Sequence, residues 1–320
     1  MHVRSVTPRP ASYSHLAGPP AVQPSAGIAE SGTLNGRRVL LATDGSAESR
    51  AACAIASLLA RRRGARPAAI RAFGYVAPWD SSHPAPVADM ASGVEPMELS
   101  RHLVQVQLAR DVGGAADWPV HVAVGHAARA IEAATESTHA ALVVMGLCGA
   151  SADGTPADHK TVLHVMKQVD VPVLATNGAL ADLPRRIVVG VDLRESGLRA
   201  ARAALSLVDD GGTLVLTFVR PGGPVDDDSA SGDVGVGEAF ERLQRMLAAP
   251  RSLRVATAVL DGSVPSALAD FARRTHAGLI ALGARQQHFA DRRVLGGVTS
   301  GLVRDATRSL LVVPPSARVV

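Results

Sequence analysis

The sequence AGLIALGARQQHFADRRVLGGVTSGLVRDATRSLLVVPP, residues 277–315, decides how this chain folds. It contains two short apolar runs, at 278–282 and 310–313, separated by a polar loop and by a segment with apolar residues at helical spacing. Short continuous apolar runs are typical of strands that are buried on both faces of a parallel sheet. The stretch therefore predicts a unit of strand, loop, helix and strand.

Glycines stand at both ends of the loop in this unit. Gly283 ends the first apolar run, and Gly296 and Gly297 directly precede the predicted helix. Free N–H groups and the helix dipole converge at a helix N-terminus, and glycine lets an anion approach the backbone closely. The pattern predicts an anion-binding loop. Glycine also serves tight turns anywhere in a protein, so a purely structural role stays open.

The same pattern occurs a second time, earlier in the chain. An apolar run at 38–43 ends at Asp44 and another at 141–145 ends at Gly146, as the runs of the later copy end at Asp192 and Gly283. The aspartates are 192 − 44 = 148 residues apart, and the glycines are 283 − 146 = 137 residues apart. The difference falls between the second and third strands, where an insertion in a loop costs little stability. The sequence therefore predicts an internal duplication.

Each copy alternates strands and helices, which predicts an α/β fold. Two tandem domains are expected, each with a parallel sheet of about five strands and helices on both faces. Domain 1 is predicted at residues 37–177 and domain 2 at 185–316, with a linker at 178–184. A reversal of strand order would bring the aspartate and the glycine loop beside one crevice. The stretches 226–237 and 284–295 are expected to be loops.

Composition argues against several classes of function. Of the 320 residues, 47% are hydrophobic, enough for a core in each domain, and the net charge is only +4. Basic residues form no run interleaved with aromatic ones, so nucleic-acid binding is not expected. No apolar segment reaches the roughly 18–20 residues of a membrane span, and the N-terminus lacks the apolar core of a signal peptide. These patterns predict a cytoplasmic protein without membrane contact, and a disordered, proline-bearing tail at residues 1–36.

Reactive side chains form no catalytic or metal-ligating pattern. Cys53 lies in an apolar helix pattern and is expected in the core, whereas Cys148 lies in a predicted loop. The histidines lack metal-ligand spacing. Asp44, Gly45 and Ser46 belong to no nucleophile elbow, and no P-loop or dinucleotide fingerprint follows the first strand. The sequence therefore predicts a binding protein rather than an enzyme, and no metal site.

These residues make the chain resemble the universal stress protein family in its tandem-domain form. RVLLATDGSAES at 38–49 is similar to the family's opening, and VDVPVLAT at 169–176 and RSLLVV at 308–313 are similar to its closing strand. The resemblance covers residues 37–177 and 185–315. It implies Rossmann-like domains of the adenine nucleotide alpha hydrolase type, packed as an intramolecular pseudo-dimer with their closing strands antiparallel. A homodimer of the whole chain stays open.

ATP-binding members of that family carry an aspartate after the first strand. They also carry a loop of the form G, two residues, G, nine residues, G, then Ser or Thr. In the first half, Asp44 matches the aspartate, and Gly146 and Gly149 match the first two glycines. His159 and Lys160 stand where the third glycine and the hydroxyl residue belong. The bulk of His159 argues against phosphate binding there, although Lys160 could supply a positive charge.

The second half keeps more of the loop where phosphate would bind. Gly283 matches the first glycine, Gln286 replaces the second, and Gly296 fits the third. Gly297 takes the position of the hydroxyl residue, and Thr299 follows two residues later. Because a Gly-Gly pair at a helix start still lets an anion approach the backbone, this half is expected to bind phosphate better than the first.

The resemblance further implies that Asp192 and Asp44 hydrogen-bond an adenine or ribose edge, although an aspartate at a strand end can instead cap the next helix. In the second glycine loop, Arg285, with Arg292 and Arg293, could neutralise phosphates. The expected function is a stress-response sensor or regulator that holds ATP or a related adenine nucleotide, with Mg²⁺ accompanying it. A nucleotide-free scaffold acting through protein contacts is the first alternative, and a nucleotide hydrolase is the second.

Overall fold

A computed structural model describes residues 34–46, 49–73, 96–112, 117–147, 159–220, 230–284, 286–289 and 292–317 of the chain. These residues form an α/β fold with twelve strands and eight helices. In chain order the elements are β1 (Arg38–Ala42), α1 (Arg50–Arg63), β2 (Arg66–Phe73), α2 (Pro96–Val112), β3 (Val120–Val124), α3 (Ala127–Ser137), β4 (Ala140–Gly146), α4 (Lys160–Gln168), β5 (Val173–Thr176), β6 (Arg186–Gly190), α5 (Glu195–Leu205), β7 (Thr213–Arg220), α6 (Ala230–Leu247), β8 (Arg254–Asp261), α7 (Val264–Arg274), β9 (Leu279–Gly283), β10 (Gln286–Phe289), β11 (Arg292–Leu295), α8 (Gly297–Asp305) and β12 (Ser309–Val313).

Ten of these strands form one sheet in the order β3-β2-β1-β4-β5-β12-β9-β6-β7-β8. Within each half the strands are parallel and follow the same order, third-second-first-fourth-fifth. The halves meet where β5 and β12 pair antiparallel, with Leu174 opposite Leu311. The predicted tandem five-stranded α/β fold is confirmed, and so is the antiparallel pairing of the two closing strands.

The register of the sheet locates the length difference between the two copies. Ala69 of β2 and Leu216 of β7 hold equivalent positions against the first strand of their half. Ala69 pairs with Val120 of β3, and Leu216 pairs with Thr257 of β8. The offset between copies is therefore 216 − 69 = 147 at the second strands and 257 − 120 = 137 at the third strands. The extra residues of the first half lie between β2 and β3, as predicted.

Left-handed backbone conformations recur at equivalent positions in the two halves. The sequence Thr-His-Ala follows α3 at 138–140 and α7 at 275–277, and φ is 51° at His139 and 53° at His276. The hydroxyl of each preceding threonine, Thr138 and Thr275, donates to a carbonyl one turn earlier in its helix. Positive φ is uncommon for residues other than glycine. The repeated tripeptide is therefore a separate sequence signal of the duplication.

Helices cover both faces of the sheet, so the fold has three layers. The helices α1, α2, α5 and α6 pack on one face, and α3, α4, α7 and α8 pack on the other. Each of the two hydrophobic cores continues through both halves, and the first contains Cys53, which is fully buried as predicted. None of the described helices combines the length and the apolar character that crossing a membrane requires.

Charged side chains at the end of α1 also connect the two halves. Arg62 lies 3.1 Å from the carboxylate of Asp209 and 3.3 Å from that of Asp182. Arg63 donates a hydrogen bond of 2.6 Å to the carbonyl of Val208. These contacts join residues that lie about 145 positions apart in the chain, and they are a finding of the structure.

Ordered structure extends into both the predicted tail and the predicted linker. Leu34 is buried, and the N–H of Gly36 donates to the carbonyl of Gly64 at 2.9 Å. Order therefore begins at least three residues before position 37. In the linker, Leu180 and Leu183 are buried in the core that the two halves share. The linker is thus a packed connection.

Two stretches that were predicted to be loops contain regular structure, and this part of the prediction was wrong. The helix α6 begins at Ala230, inside the Gly-rich stretch, and Val236 packs against the core. Burial of one face stabilises such a helix despite the poor helix propensity of glycine. After Gly283, β10 and β11 form an antiparallel hairpin. β11 packs against α4 of the first half, and its last residue, Leu295, is buried.

Asp111 makes the stability of the α1–α2 contact dependent on pH. Its side chain is 3% exposed, accepts hydrogen bonds of 2.8 and 3.0 Å from Arg110 and lies 3.6 Å from Arg50 of α1. The hydrogen bonds from Arg110 lower the pKa of this carboxyl below its ordinary value, and the charges of Arg110 and Arg50 lower it further. A depressed pKa stabilises the folded chain above the ordinary carboxyl pKa, and this stabilisation is lost as the pH falls through the native pKa.

We therefore expect Asp111→Asn to lower the free energy of unfolding at pH 7 by about 1–2 kcal/mol, and by progressively less below about pH 4. Urea unfolding at several pH values measures this difference. Asp210→Asn is the matched control, because Asp210 is 85% exposed in its ion pair with Arg63 and should contribute little. An equal loss of stability at neutral and acidic pH would contradict the assigned role of Asp111.

Candidate functional site

The candidate site of the second half lies where the strand order of its sheet reverses. From β6 the chain continues to β7 on one side, and β9 lies on the other. Gly190 at the end of β6 pairs with Leu282 of β9, so Asp192 and Gly283 follow neighbouring strand ends. Ligands of open α/β sheets bind in the crevice at such a point. The structure thus brings together two of the residues that the sequence predicted.

Ser196 contacts both Asp192 and the end of β9 at Gly283. Its hydroxyl donates to the Asp192 carboxylate and lies 2.8 Å from both carboxylate oxygens. The N–H of Arg194 also donates to Asp192, at 3.2 Å. The equivalent turn in the first half has the N–H of Ser46 donating to Asp44 at 2.9 Å. Each aspartate therefore accepts hydrogen bonds within the turn before the next helix, but neither is the N-cap residue of that helix, which is Ser49 in α1 and Arg194 in α5.

Gly283 is required by packing. A Cβ atom at this position would lie 2.7 Å from the carbonyl carbon of Ser196 and 2.9 Å from its Cβ, closer than real Cβ atoms approach their neighbours. The first turn of α5 therefore presses directly on the end of β9. This contact sets the distance between the strand end and the turn that carries Asp192.

The N-terminus of α8 is open in a way that suits an anion. Gly296 is the N-cap residue with φ −60° and ψ 151°, and no side chain caps the helix. Gly297, the first helical residue, is exposed, and a Cβ atom there would meet nothing within 4 Å. Two residues later, Thr299 is buried. The predicted Arg285 lies outside the described residues, as do the side chains of Arg292 and Arg293.

The equivalent site of the first half is arranged differently. Lys160 is the first residue of α4 and His159 is its N-cap, so both glycines of α8 are replaced at the same positions. At the strand end, Arg71 donates to the carbonyl of Asp44, and a Cβ atom on Gly45 would lie 2.6 Å from the Arg71 guanidinium. Gly146 ends β4 as predicted. Gly149 and Cys148 lie outside the described residues.

A buried polar network below Asp44 has no counterpart in the second half. The hydroxyl of Thr43 contacts Ser49 at 2.9 Å and donates to Gln107 of α2 at 2.7 Å, and Gln107 donates to Ser49 at 2.8 Å. At the positions of Thr43 and Ser49 the second half has Val191 and Gly197, which pack together. Sequence reasoning missed this network, because Gln107 is 58 residues away from Ser49 in the chain.

The described residues carry no cluster of metal-ligating side chains, and their cysteine is buried. Burial raises the pKa of the Cys53 thiol to about 12, and the nearby charge of Asp111 adds to this rise, so the thiol is protonated at neutral pH. Within the same residues no group of three or more His, Cys, Asp or Glu side chains could hold a metal ion. The arrangement is suited to binding through backbone amides.

Comparisons with known proteins agree with this fold. A universal stress protein from Archaeoglobus fulgidus DSM 4304 is 17% identical, with 88% of this chain and 97% of that chain aligned and a TM-score of 0.60. A protein assigned to the universal stress proteins from Pseudomonas aeruginosa UCBPP-PA14 is 13% identical, with 88% and 95% aligned and a TM-score of 0.59. At such identities the likeness concerns the fold. No curated protein sequence matches the chain.

A sequence model of one family matches this chain twice. The universal stress protein family model matches residues 36–177 and again residues 184–314. The two matches together cover most of the chain, and they coincide with the two halves of the sheet. This protein therefore belongs to the universal stress protein family, in a form with two family domains in tandem.

Proposed function

We propose that this protein is a cytoplasmic stress-response regulator that binds ATP or a related adenine nucleotide, chiefly in its second half, without turning it over. Asp192 would hold the adenine or ribose edge, and the loop between β9 and α8 would hold the phosphates. The proposed phosphate-binding residues are Gly283, Arg285, Gly296, Gly297 and Thr299. The proposed domain boundaries remain 37–177 and 185–316, joined by 178–184.

The observation that carries this proposal is the open N-terminus of α8, the helix that follows β9 and its hairpin in the chain. No side chain caps the helix, and the space beside Gly297 where a Cβ would stand is open, so a phosphate could reach the first-turn amides. Asp192 follows β6, the strand that pairs with β9, so it lies close to the strand end at Gly283. Mg²⁺ would accompany the nucleotide and be held by its phosphates, since the described residues offer no cluster of metal ligands.

The first half would bind nucleotide more weakly, through Asp44, Gly146 and Gly149. His159 and Lys160 replace the open glycines at the start of its helix, and Arg71 occupies the space beside the turn after β1. A lysine at the start of the helix compensates the charge of a phosphate, but its side chain leaves the phosphate less room to approach the backbone. The two halves would then differ in affinity although they share one fold.

Two alternatives remain. A nucleotide-free scaffold is favoured by the engagement of Asp192 with Ser196 and by Gln286 in place of the second glycine. A hydrolase is disfavoured, because the sequence carries no nucleophile elbow, P-loop or other catalytic motif at the crevice. Titration calorimetry with ATP separates the first alternative from the proposal, and phosphate release on prolonged incubation would reveal the second.

Gly297→Asp provides a sharp test in the full-length chain. A carboxylate in the first turn of a helix stabilises the helix dipole, so we expect the melting temperature to be unchanged or higher. The same carboxylate would repel phosphate, and we expect the ATP affinity to fall at least about tenfold. Titration calorimetry with ATP measures the loss of affinity, and thermal unfolding measures the melting temperature. Titration with adenosine is the comparison, because adenosine lacks phosphates and its binding should be affected much less.

Lys160→Asp is the matched control, since Lys160 holds the position of Gly297 at the start of α4. If binding occurs chiefly in the second half, this variant should retain most of the ATP heat. If the wild-type protein gives no binding heat at millimolar ATP, the nucleotide proposal is wrong and the scaffold alternative is supported. Equal loss of affinity in both variants would contradict the assignment to the second half.

A further inference from the structure

The loop between β9 and α8 is closed at its base by the β10–β11 hairpin. Gln286, the first residue of β10, pairs with Leu295, which ends β11 and directly precedes Gly296. The start of the loop is fixed as well, because the N–H of Ala284 donates to the carbonyl of Val313 on β12 at 2.7 Å. Backbone pairing therefore holds the strand end and the helix start of the proposed phosphate site close together.

This hairpin packs against a helix of the other half. Among the described elements, α4 of the first half is the main one that β11 contacts, apart from its hairpin partner β10. Leu295 is 5% exposed and belongs to the hydrophobic core that also contains Val162, Val165 and Met166 of α4. The segment that leads into the helix start of the second half is therefore anchored across the junction between the halves.

The first turn of α8 depends on this anchor. No side chain caps the helix at Gly296, and a Cβ atom on Gly297 would meet nothing within 4 Å. Buried side chains stand on either side of these glycines, Leu295 before them and Thr299 after them. Because glycine allows many backbone conformations, the position of the amides in this turn is set by the two buried residues that flank it.

The placement of these amides decides how tightly they hold a phosphate. Binding groups must stand within about 0.5 Å of the productive geometry, and a segment that its ligand has to order loses affinity through the entropy of ordering. Packing against α4 supplies this order before a ligand arrives. The contact with the first half should therefore add to the affinity for phosphates, but not to the affinity for the nucleoside, which Asp192 would hold.

We propose that Leu295 is a positioning residue of the nucleotide site and that α4 of the first half is the support on which it packs. This inference rests on the proposed function, and it adds that the phosphate site of the second half is completed by the first half. The tandem arrangement then has a role in binding beyond the pairing of the closing strands, because damage to the packing of α4 weakens a site in the other domain.

Leu295→Ala in the full-length protein tests the role of this side chain. Titration calorimetry should show an ATP affinity reduced about fivefold or more, because the ligand must then order the helix start, whereas the affinity for adenosine should change less than about twofold. Leu295→Met, which nearly conserves the volume, should restore ATP binding. Leu243→Ala is the matched control, since Leu243 is also 5% exposed but lies on α6, on the opposite face of the sheet. This control should leave both affinities unchanged.

Val165→Ala tests the support by α4 without any ligand. Val165 is fully buried on α4, and its truncation leaves a cavity that loosens the helix. Hydrogen exchange should become about threefold faster or more at the paired amides of β10 and β11, and at Ser300, whose N–H donates to the carbonyl of Gly296. Val104→Ala is the control, because Val104 is equally buried on α2 of the same half but on the other face of the sheet. Exchange in the hairpin should then stay within about twofold of the wild type.

Three outcomes would overturn the role of Leu295 or that of α4. If the wild type binds ATP and Leu295→Ala binds it equally well, or loses ATP and adenosine affinity alike, Leu295 does not position the phosphate site, although the proposed function stands. If Val165→Ala and Val104→Ala change the exchange of the hairpin equally, α4 is not its support. If the wild type binds no ATP, the proposed function fails together with any role of Leu295 towards phosphate, and the exchange comparison still decides whether the first half holds the helix start.

Discussion

Truncation of Leu311 to alanine is expected to lower the free energy of unfolding of the whole chain by about 2–5 kcal/mol. Leu311 is fully buried on β12, directly opposite Leu174 of β5, where the two halves of the sheet join. This loss is the sum of the transfer free energy of the removed methyl groups and the free-energy cost of the cavity that remains, because the neighbouring strands cannot close it. Chemical denaturation followed by circular dichroism measures the change.

The position of Leu311 makes a second, more specific result testable. Leu174→Ala should also destabilise the chain, but the double variant Leu174→Ala/Leu311→Ala should cost at least about 0.5 kcal/mol less than the sum of the single losses. The two truncations share one cavity across the junction. Leu214 on β7 is equally buried but lies within the second half, so Leu174→Ala and Leu214→Ala should be additive.

Additive losses at Leu174 and Leu311 would show that the antiparallel junction is not packed as described. Two separate unfolding transitions in the wild type would argue against cooperative coupling of the halves. We expect one transition, because the core on each face of the sheet is continuous across the junction. The pairing also removes two strand edges that would otherwise be exposed to other chains.

The architecture was largely predictable because its signals are local and repeated. The buried strands β9 and β12 correspond to the continuous apolar runs at 278–282 and 310–313, which are followed by Gly283 and by Pro314. The matching positions of Asp44 and Asp192 indicated the duplication. The Thr-His-Ala tripeptides that follow α3 and α7 would have indicated it independently. The family resemblance then supplied the pairing of the closing strands.

The parts that were not predictable depend on contacts between distant segments. The hairpin after Gly283 is stabilised by α4 of the other half, and nothing in its own sequence indicates that neighbour. The contact of Arg71 with the turn after β1, and that of Arg63 with Val208, likewise join residues far apart in the chain. The link from Asp192 to Ser196 is different, since an aspartate and a serine four residues apart at a helix start are a recognisable local pair.

The two halves share one fold but differ in their surfaces at two equivalent positions. At the crevice, the first half has a cationic helix start at Lys160 where the second has Gly297. On the outer helix, the first half has the exposed apolar residues Leu99, Leu103 and Val106 of α2 where the second has the charged residues Glu238, Arg242 and Arg245 of α6. The duplicated domains therefore differ in surface chemistry although they share one fold.

Gly283→Ala is the second substitution with a large expected effect, and we expect it to lower the free energy of unfolding by about 3 kcal/mol or more. The added Cβ would press on the backbone of Ser196, and a backbone cannot move aside without shifting the whole first turn of α5. Because Ser196 holds the Asp192 carboxylate, the same shift would disturb the proposed nucleotide site.

Gly190→Ala is the matched control, since it adds the same methyl group on the neighbouring strand. That Cβ would meet the side-chain ends of Leu282 at 2.6 Å and Leu268 at 2.9 Å, which can rotate away, so the cost should be about 1 kcal/mol. Denaturant unfolding of both variants compares them directly. Equal losses of unfolding free energy in the two variants would mean that the first turn of α5 moves aside as easily as a leucine side chain. The glycine at 283 would then be explained by close approach of a ligand instead of by packing.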